Sequence, residues 1–434
     1  MPVKGTNNQG FLTLSQVRFS SPLAIPFGMK KRISIQDLRP GMYIASVDQS
    51  WFHTPFLRHK WLVKREDEIS LLRSYGIQDV FIDTEKGCDV IEASPIQKSS
   101  ETLSVSDNTP TQPTLDIGPN PQDLESARML RAEAISALDV FFRQMESPST
   151  QHLTEVRSVV STLFDGLLEH QTAMVALIQM RRFDAKLSTH GVDTGVLAMA
   201  IGQEYDCDPS HLKLLGLAAL VHDIGQLRLP LNLLHQAQPY STQDHQLIQT
   251  HCVMGEAILN QYPDFPDESK QMVLQHHERL DGSGYPKGLQ GKDITVLTQI
   301  LSIADTYDAQ ISGRCSHPPV PPAQALSELY RAAIAGQYAT ALVQRLIQLL
   351  GVYPIGSLVR LNTGEQAVVI WVHSHSRLAP TIKLLKNAEG QPYDEQEIID
   401  LSSQATHEAS RSIQETLDPH QEGWDMHKIL DSLW

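Results

Sequence analysis

Three stretches between residues 190 and 305 bring imidazoles and carboxylates together in a way that packing alone does not explain. Eight of the 18 histidines fall between His190 and His277, about a fifth of the chain. His222-Asp223 follows the apolar run Leu214 to Val221, which places a nitrogen and an oxygen donor side by side at a predicted helix end. His276-His277-Glu278 closes another predicted helix, and Asp305 follows Ile300-Leu301-Ser302-Ile303-Ala304, a run that otherwise reads as buried. Any one histidine taken alone reads as a satisfied core residue, and Asp305 alone as a cap or an ion-pair partner. Taken together they need a common partner, because buried imidazoles and carboxylates must be paired, hydrogen bonded or metal bound. Helices that each deliver one or two such groups into a shared bundle interior make a metal centre. Nitrogen and oxygen ligands without thiolate suit iron, manganese, nickel or zinc, and the general order of affinities does not choose among them. A bridging carboxylate such as Asp223 permits two ions close together, whose charge would generate a hydroxide nucleophile and stabilise the oxygens of a phosphoryl displacement. Hydrolysis of a phosphoester is the natural reaction class.

The elements that must position these groups are helical. Apolar residues three and four apart predict helices over Asp123–Met145, Leu153–Met180, Leu187–Gln203, His211–Val221, Gln243–Gln261, Asp267–Arg279, Ile294–Ile311, Pro322–Ala335 and Thr340–Leu350. Residues 122–350 therefore read as an all-α domain with leading helices. Residues 29–92 read as a small α+β regulatory module, with strands at Tyr43–Val47 and Val80–Ile82 and a helix over Glu66–Tyr75 that ends at Gly76. Between them, residues 93–121 hold no aromatic residue and are dominated by Ser, Thr, Pro, Gln and Asn, the composition of a disordered linker. Residues 1–28 show no period and read as a disordered tail or as an untranslated stretch ahead of a start at Met29; peptides from before Met29 in native protein would exclude the second. Residues 351–402 form a small β extension, with a hairpin of Gly356–Leu361 and Gln366–Val372 about the turn Asn362-Thr363-Gly364 and a further strand at Ile382–Leu385. Residues 403–434 form a polar tail whose amphipathic segment, Trp424 to Trp434, is too short and too little basic for a membrane anchor and reads as a packing helix. The fold class is multidomain: an all-α central bundle flanked by an N-terminal α+β module and a C-terminal β segment.

Composition narrows the function further. The 434 residues carry 35 basic and 50 acidic side chains, a formal charge of −15, which argues against a binder of nucleic-acid polymers while leaving room for one small anionic ligand. Cys88, Cys207, Cys252 and Cys315 are scattered, so neither a disulfide framework nor a thiolate-held zinc is expected. No window approaches 18 consecutive apolar residues and no signal-peptide pattern opens the chain, so the expectation is a cytoplasmic protein without a membrane span.

The motifs resemble those of a known family. His222-Asp223-Ile224-Gly225, followed by His276-His277-Glu278-Arg279-Leu280-Asp281-Gly282-Ser283-Gly284-Tyr285-Pro286, is similar to the HD-GYP signature, a subgroup of the HD phosphohydrolase superfamily. Ala304-Asp305-Thr306-Tyr307-Asp308-Ala309 resembles the family's last metal-ligand motif, and the resemblance covers about residues 185–350. Ile33–Asp83, with Pro40-Gly41-Met42 and Trp51-Phe52-His53-Thr54-Pro55-Phe56, resembles an uncharacterised domain often placed ahead of HD-GYP; Tyr353-Pro354-Ile355-Gly356 resembles extensions that follow it. The resemblance implies a phosphodiesterase that opens cyclic di-GMP to linear pGpG and, in some members, onward to GMP. It implies metal ligands at His190, His222, Asp223, His251, His276, His277 and Asp305. His190, His222, Asp223 and Asp305 would hold one ion, and Asp223 would bridge to a second held by His251 and His276, with His277 close by. His251 stands at the family's spacing, 28 residues after Asp223 and 25 before His276. The cofactors implied are two divalent ions, iron or manganese ahead of zinc or nickel.

Several positions depart from the family pattern. Gln226 stands where a lysine usually follows His-Asp-Ile-Gly, keeping a donor and losing the charge that could hold a phosphate oxygen. Lys186 stands where members with a third metal carry a glutamate one turn before His190. The usual Arg-Pro-Tyr-Lys becomes Arg314-Cys315-Ser316-His317, so Arg314 survives as a phosphate contact and His317 replaces the lysine. Lys287 and Arg279 are neighbouring cations, read either as solvated surface or, for Lys287, as a substrate contact. The loop of Gly282, Gly284, Tyr285 and Pro286 is ordinary turn chemistry on its own terms; the resemblance makes it a surface for partners such as diguanylate cyclase (GGDEF) domains, with a homodimer also allowed. Two other readings stay open: a signalling adaptor that keeps the fold and has lost turnover, and a hydrolase for another cyclic dinucleotide or nucleotide.

Overall fold

The helix that carries His190 is buried on every side. A computed structural model of the chain describes residues 30–47, 61–63, 69, 73, 79–83, 120–145, 149–180, 186–234, 240–313, 319–373, 376–393, 397–404 and 410–431. Residues 1–29 and 93–119, the Trp51–Phe56 motif, Gly76, Cys88 and the segment from Arg314 to His317 lie outside them. So does most of the helix expected over Glu66–Tyr75, of which only Ile69 and Arg73 are described, both helical. The chain divides into two compact units, Met1–Val105 and Ser106–Trp434.

In the first unit four antiparallel strands, β1 (Lys30–Ser34), β2 (Tyr43–Val47), β3 (Trp61–Leu62) and β4 (Asp79–Asp83), lie in the order β1-β4-β2-β3. Ile33, Ile35, Leu38, Met42, Ile44, Val63, Ile69, Val80 and Ile82 form its core.

The second unit opens with α1 (Pro121–Gln144) and α2 (Thr150–Met180), two long helices packed on each other. Asn120 caps α1 by accepting from the Gln122 amide, and proline at the first helical position has no amide to leave unpaired. Then follow α3 (Leu187–Glu204) and α4 (Pro209–Val221), whose first turn is capped by Asp208. Every residue of α3 from Ser188 to Gly202 is buried, the mark of a central helix covered on all faces. Gly191 lets α4 approach closely: a Cβ there would stand 2.4 Å from the Leu220 carbonyl oxygen.

After α4 the chain makes a 3-10 turn at Ile224–Arg228 and the short α5 (Leu231–Leu234), then α6 (Thr242–Gln249), α7 (His251–Leu259) and α8 (Asp267–Gln275). The sequence pattern predicts one helix over Gln243–Gln261; the structure breaks it at Thr250. The cause is burial: α6 has no buried residue and is held by a Ser241–Asp244 capping box, whereas α7 buries His251, Cys252, Gly255, Ile258 and Leu259. The helix expected to reach Arg279 ends at Gln275, because the Glu278 carboxylate accepts from the Lys287 and Leu289 amides and draws the chain into the loop. The bundle closes with α9 (Val296–Ser312), α10 (Pro322–Ile334) and α11 (Thr340–Leu350).

The C-terminal sheet has the order β8-β7-β6-β5-β9, all antiparallel, from β5 (Leu358–Leu361), β6 (Gln366–Trp371), β7 (Thr381–Lys386), β8 (Ile398–Asp400) and β9 (Ile413–Leu417). Strand β9 comes from residues the sequence assigns to a polar tail; Gln414, Glu415 and Thr416 are exposed, so edge pairing rather than burial recruits it. Strand β6 is buried along its length, with Val368 and Ile370 in one apolar cluster and Ala367 and Val369 in another. The first cluster takes in Ala176 of α2 and Leu430 of the terminal α12 (Met426–Asp431), and Gln179 accepts from the Ile355 amide at 2.9 Å, tying sheet to bundle. Among the described residues no helix is long and apolar enough to cross a membrane.

Candidate metal centre

Six helical elements meet where the histidines converge. His190 projects from the first turn of α3, His222 caps the end of α4, Asp223 opens the 3-10 turn, His251 begins α7, His276 and His277 follow α8, and Asp305 lies within α9. His190, His222, Asp223, His251, His276 and Asp305 are all buried, and His277 is partly exposed. The seven residues expected as ligands are thus brought to one place.

They fall into two groups around Asp223. On one side His222 Nε2 stands 3.1 Å from His190 Nε2, Asp305 Oδ1 lies 3.1 Å from His190 Nε2 and 3.4 Å from His222 Nε2, and Asp223 Oδ2 lies 3.7 and 3.6 Å from the same two nitrogens. On the other side His251 Nε2 and His276 Nε2 stand 3.2 Å apart, and Asp223 Oδ1 is 3.3 and 3.8 Å from them. His277 stacks beside His276 and turns Nδ1 to within 3.8 Å of Asp305 Oδ2. The two oxygens of one carboxylate therefore face two imidazole groups.

The hydrogen bonds behind the rings decide what the front can do. His222, His251 and His276 each donate from Nδ1 to a carbonyl three residues earlier, Ala219, Ile248 and Val273, at 2.8, 2.7 and 2.7 Å. His190 donates from Nδ1 to Asp308 Oδ2 at 2.6 Å. With the proton assigned to Nδ1 in this way, every Nε2 of a neutral ring presents a lone pair to the centre. The nitrogens cannot hydrogen bond one another, and neither can the carboxylate oxygens between them. A buried set of acceptors facing acceptors requires cations, which is the test these residues pass for a metal site. His190, His222 and Asp305 form one cluster within ligating distance, His222, Asp223 and His276 a second, and His251, Cys252, His276 and His277 a third.

The electrostatics agree. Burial works against charge on His222, yet Asp223 and Asp305 outweigh it and push this imidazole up to about 9. Burial, with the neighbouring His222 and His251, pulls His276 down to about 3, and burial with His276 keeps His277 well below the ordinary range. Burial opposes the Asp305 anion too, but the neighbouring His190 and His222 imidazoles outweigh it and hold its carboxyl well below the usual carboxylate range. Burial, reinforced by Asp223, pushes the thiol of Cys252, 3.5 Å from His251 Nε2, far up, so this sulfur stays protonated in the metal-free protein.

Around the centre, Gln226 is buried one turn beyond Asp223 and donates its amide to the Asp223 carbonyl. Tyr285 stacks on His277 at 4.7 Å and forms part of the wall, while Ser283 and Lys287 of the same loop are exposed. Lys287 borders an open cleft of about 310 Å³ with Glu256, Asp267, Lys270 and Gln275. Lys186 is exposed at the start of α3. Arg279, for which the sequence suggests a solvated surface cation, is instead half-buried. It donates to the His276 and Glu278 carbonyls and to Ser302 Oγ, and lies over the Tyr338 ring at 4.8 Å. Three supporting carboxylates escape the sequence reading: Asp308 behind His190, Glu278 under the loop, and Asp193, which pairs with Arg131. Asp308 carried a usable signal, since it stands three residues after Asp305 and so on the same helix face.

Comparison with known proteins places the chain. Residues 170–340 match the family model of the HD domain, residues 30–156 match a domain of unknown function (DUF3391), and residues 358–419 match a KOW domain associated with the HD domain. Residues 170–340 are thus similar to the HD domain, and the His222–Gly225 and His276–Pro286 motifs both lie within that stretch. It is 27% identical over 380 residues to a cyclic di-GMP phosphodiesterase of Pseudomonas aeruginosa, covering 86% of this chain and 89% of that one. It is 31% identical over 152 residues to a 3'3'-cGAMP-specific phosphodiesterase of Vibrio cholerae, covering 32% of this chain and 33% of that one. Among solved structures, an HDG"Y"P protein of Bdellovibrio bacteriovorus is 21% identical, with a TM-score of 0.46 over 74% of this chain and 99% of that one.

Proposed function

We propose that this chain hydrolyses cyclic di-GMP to linear pGpG, and onward to GMP, at a centre of two divalent ions. The observation that carries the reading is Asp223, whose two oxygens face separate pairs of imidazole nitrogens. The relative that spans most of the chain bears that activity in its name. His190, His222, Asp223 and Asp305 would hold one ion, and Asp223, His251 and His276 the other, with His277 at its edge. Ions there would acidify a water molecule and neutralise charge on the phosphodiester. The protein's own share is to aim every Nε2 inward by anchoring each Nδ1 from behind, to keep Asp305 ionised, and to exclude bulk water by burial. The ligand set admits iron, manganese, zinc or nickel, the family resemblance favours iron or manganese, and Lys186 offers no carboxylate for a third ion. Lys287, Arg314 and His317 are the candidate phosphate contacts. The loop with exposed Ser283 and Lys287, which includes Gly282, Gly284, Tyr285 and Pro286, would meet partners such as GGDEF domains, and the N-terminal module would regulate.

A second reading has its own support: the Vibrio relative acts on a mixed cyclic dinucleotide, so the same centre would serve another substrate of that class. The test is anaerobic purification, metal analysis, and chromatography of cyclic di-GMP and 3'3'-cGAMP incubated with protein and Mn or Fe. Linear pGpG formed faster than the cGAMP product is the expected outcome. The reverse order supports the second reading, and ligand binding without product makes the chain an adaptor. Replacing His222 and Asp223 by Ala is expected to remove metal and turnover together; turnover that survives metal loss would overturn the reading. Gln226→Lys is expected to raise the rate about tenfold, the effect of one charge-assisted contact to a phosphate oxygen.

A further inference from the structure

We propose that the two metal positions are unequal by construction, and that Asp308 makes the His190 side the tighter one. This inference rests on the two-metal reading above. Three of the four inner imidazoles are backed in the same way, by a carbonyl three residues earlier in their own helix turn. Such a bond comes with the local backbone and fixes the ring without adding charge. His190 is different, because its Nδ1 donates at 2.6 Å to a carboxylate 118 residues away in sequence. Asp308 is wholly buried and His190 nearly so, so the bond is shielded from water on both sides. A carboxylate behind an imidazole makes the opposite nitrogen a stronger donor than a neutral carbonyl does.

The charge distribution points the same way. The His190 side faces Asp305 Oδ1, shares Asp223, and has Asp308 behind it. The His251 side shares Asp223 and otherwise offers the imidazoles of His276 and His277 and the Cys252 sulfur, with no second carboxylate in that cluster among the described residues. At separations of 3 to 4 Å within a buried site, one extra carboxylate dominates the field on a divalent ion. The first ion therefore enters between His190, His222 and Asp305, and the second is held loosely enough to exchange. Asp308 acts through His190, as a positioning residue that sets the strength of one ligand.

The experiment is a calorimetric titration of the metal-free, full-length protein with Mn²⁺, alongside Mn²⁺ electron paramagnetic resonance. Wild type is expected to bind in two resolved steps. Asp308→Asn is expected to weaken the tighter step about 10–100-fold, the usual effect of losing such an outer partner, and to leave the weaker step unchanged. Asp308→Glu should restore most of the loss, and His251→Ala should abolish only the weaker step. Two equal steps in wild type would overturn the inference while leaving the two-metal reading intact, as would an Asp308→Asn variant that weakens both steps alike. No binding by wild type would reject the two-metal reading itself. If Asp308→Asn fails to fold, the wild-type steps and His251→Ala still decide.

Discussion

At the scale of the residue, the centre is a set of lone pairs waiting for cations. In the metal-free protein a proton can take that place, and His222 is where the field of Asp223 and Asp305 holds it, with its pKa raised from 6.5 to about 9. Two consequences can be measured. Loading the centre at pH 7 must displace that proton, so calorimetry in two buffers of different ionisation enthalpy should report release of about one proton from this residue. A protonated form favoured by the fold stabilises the metal-free protein fully below pH 6.5 and is lost as pH rises through about 9. Melting temperature of the metal-free protein should therefore fall across that window, while the loaded protein changes less. A flat profile for the metal-free form would contradict the assignment.

The geometry depends, at the scale of elements, on how closely segments approach. The 3-10 turn that carries Asp223 lies against the first turn of α7, and Gly225 is the point of contact: a Cβ there would stand 1.9 Å from the His251 carbonyl oxygen. No rotamer relieves a clash with backbone, so Gly225→Ala must push α7 away. The expected cost is about 1–3 kcal/mol of stability, with loss of metal on the His251 side before the His190 side. Denaturant unfolding together with metal stoichiometry checks this, and an unchanged stoichiometry would show that α7 does not need the close approach. The break at Thr250 belongs to the same argument. Within the span Gln243–Gln261, α6 buries no residue, whereas α7 buries His251 at its first position.

The whole molecule ties the HD bundle to what precedes and follows it. Arg131 of α1 makes a bidentate pair with Asp193 of α3 at 2.7 Å for each bond, one turn beyond His190, and Asp193 is fully buried. Removing the arginine takes the bidentate partner from a buried carboxylate, which costs about 3–5 kcal/mol. Arg131→Ala is thus expected to lower the urea midpoint and, by loosening α3, to weaken metal binding; a midpoint within error of wild type would show that Asp193 finds another partner. At the other end of the unit, Gln179 and Ala176 of α2 bind the C-terminal sheet, so the long leading helices join bundle and sheet in one framework.

The sequence by itself determined the class of chemistry. Imidazole and carboxylate types, their burial in apolar runs, and the motifs at residues 222–225 and 276–286 specify a helical metal centre, because ligand chemistry is a property of residue type and local spacing. Helix positions were legible for the same reason, since the 3.6-residue period is local. Only the tertiary structure decided which oxygen of Asp223 faces which pair of histidines, that Asp308 backs His190, and that Arg279 is half-buried. These facts join residues up to 118 apart in sequence, and no local pattern encodes such a pairing. Strand β9 escaped for a related reason: its residues are polar and exposed, and backbone pairing with β5, rather than any apolar alternation, makes it a strand.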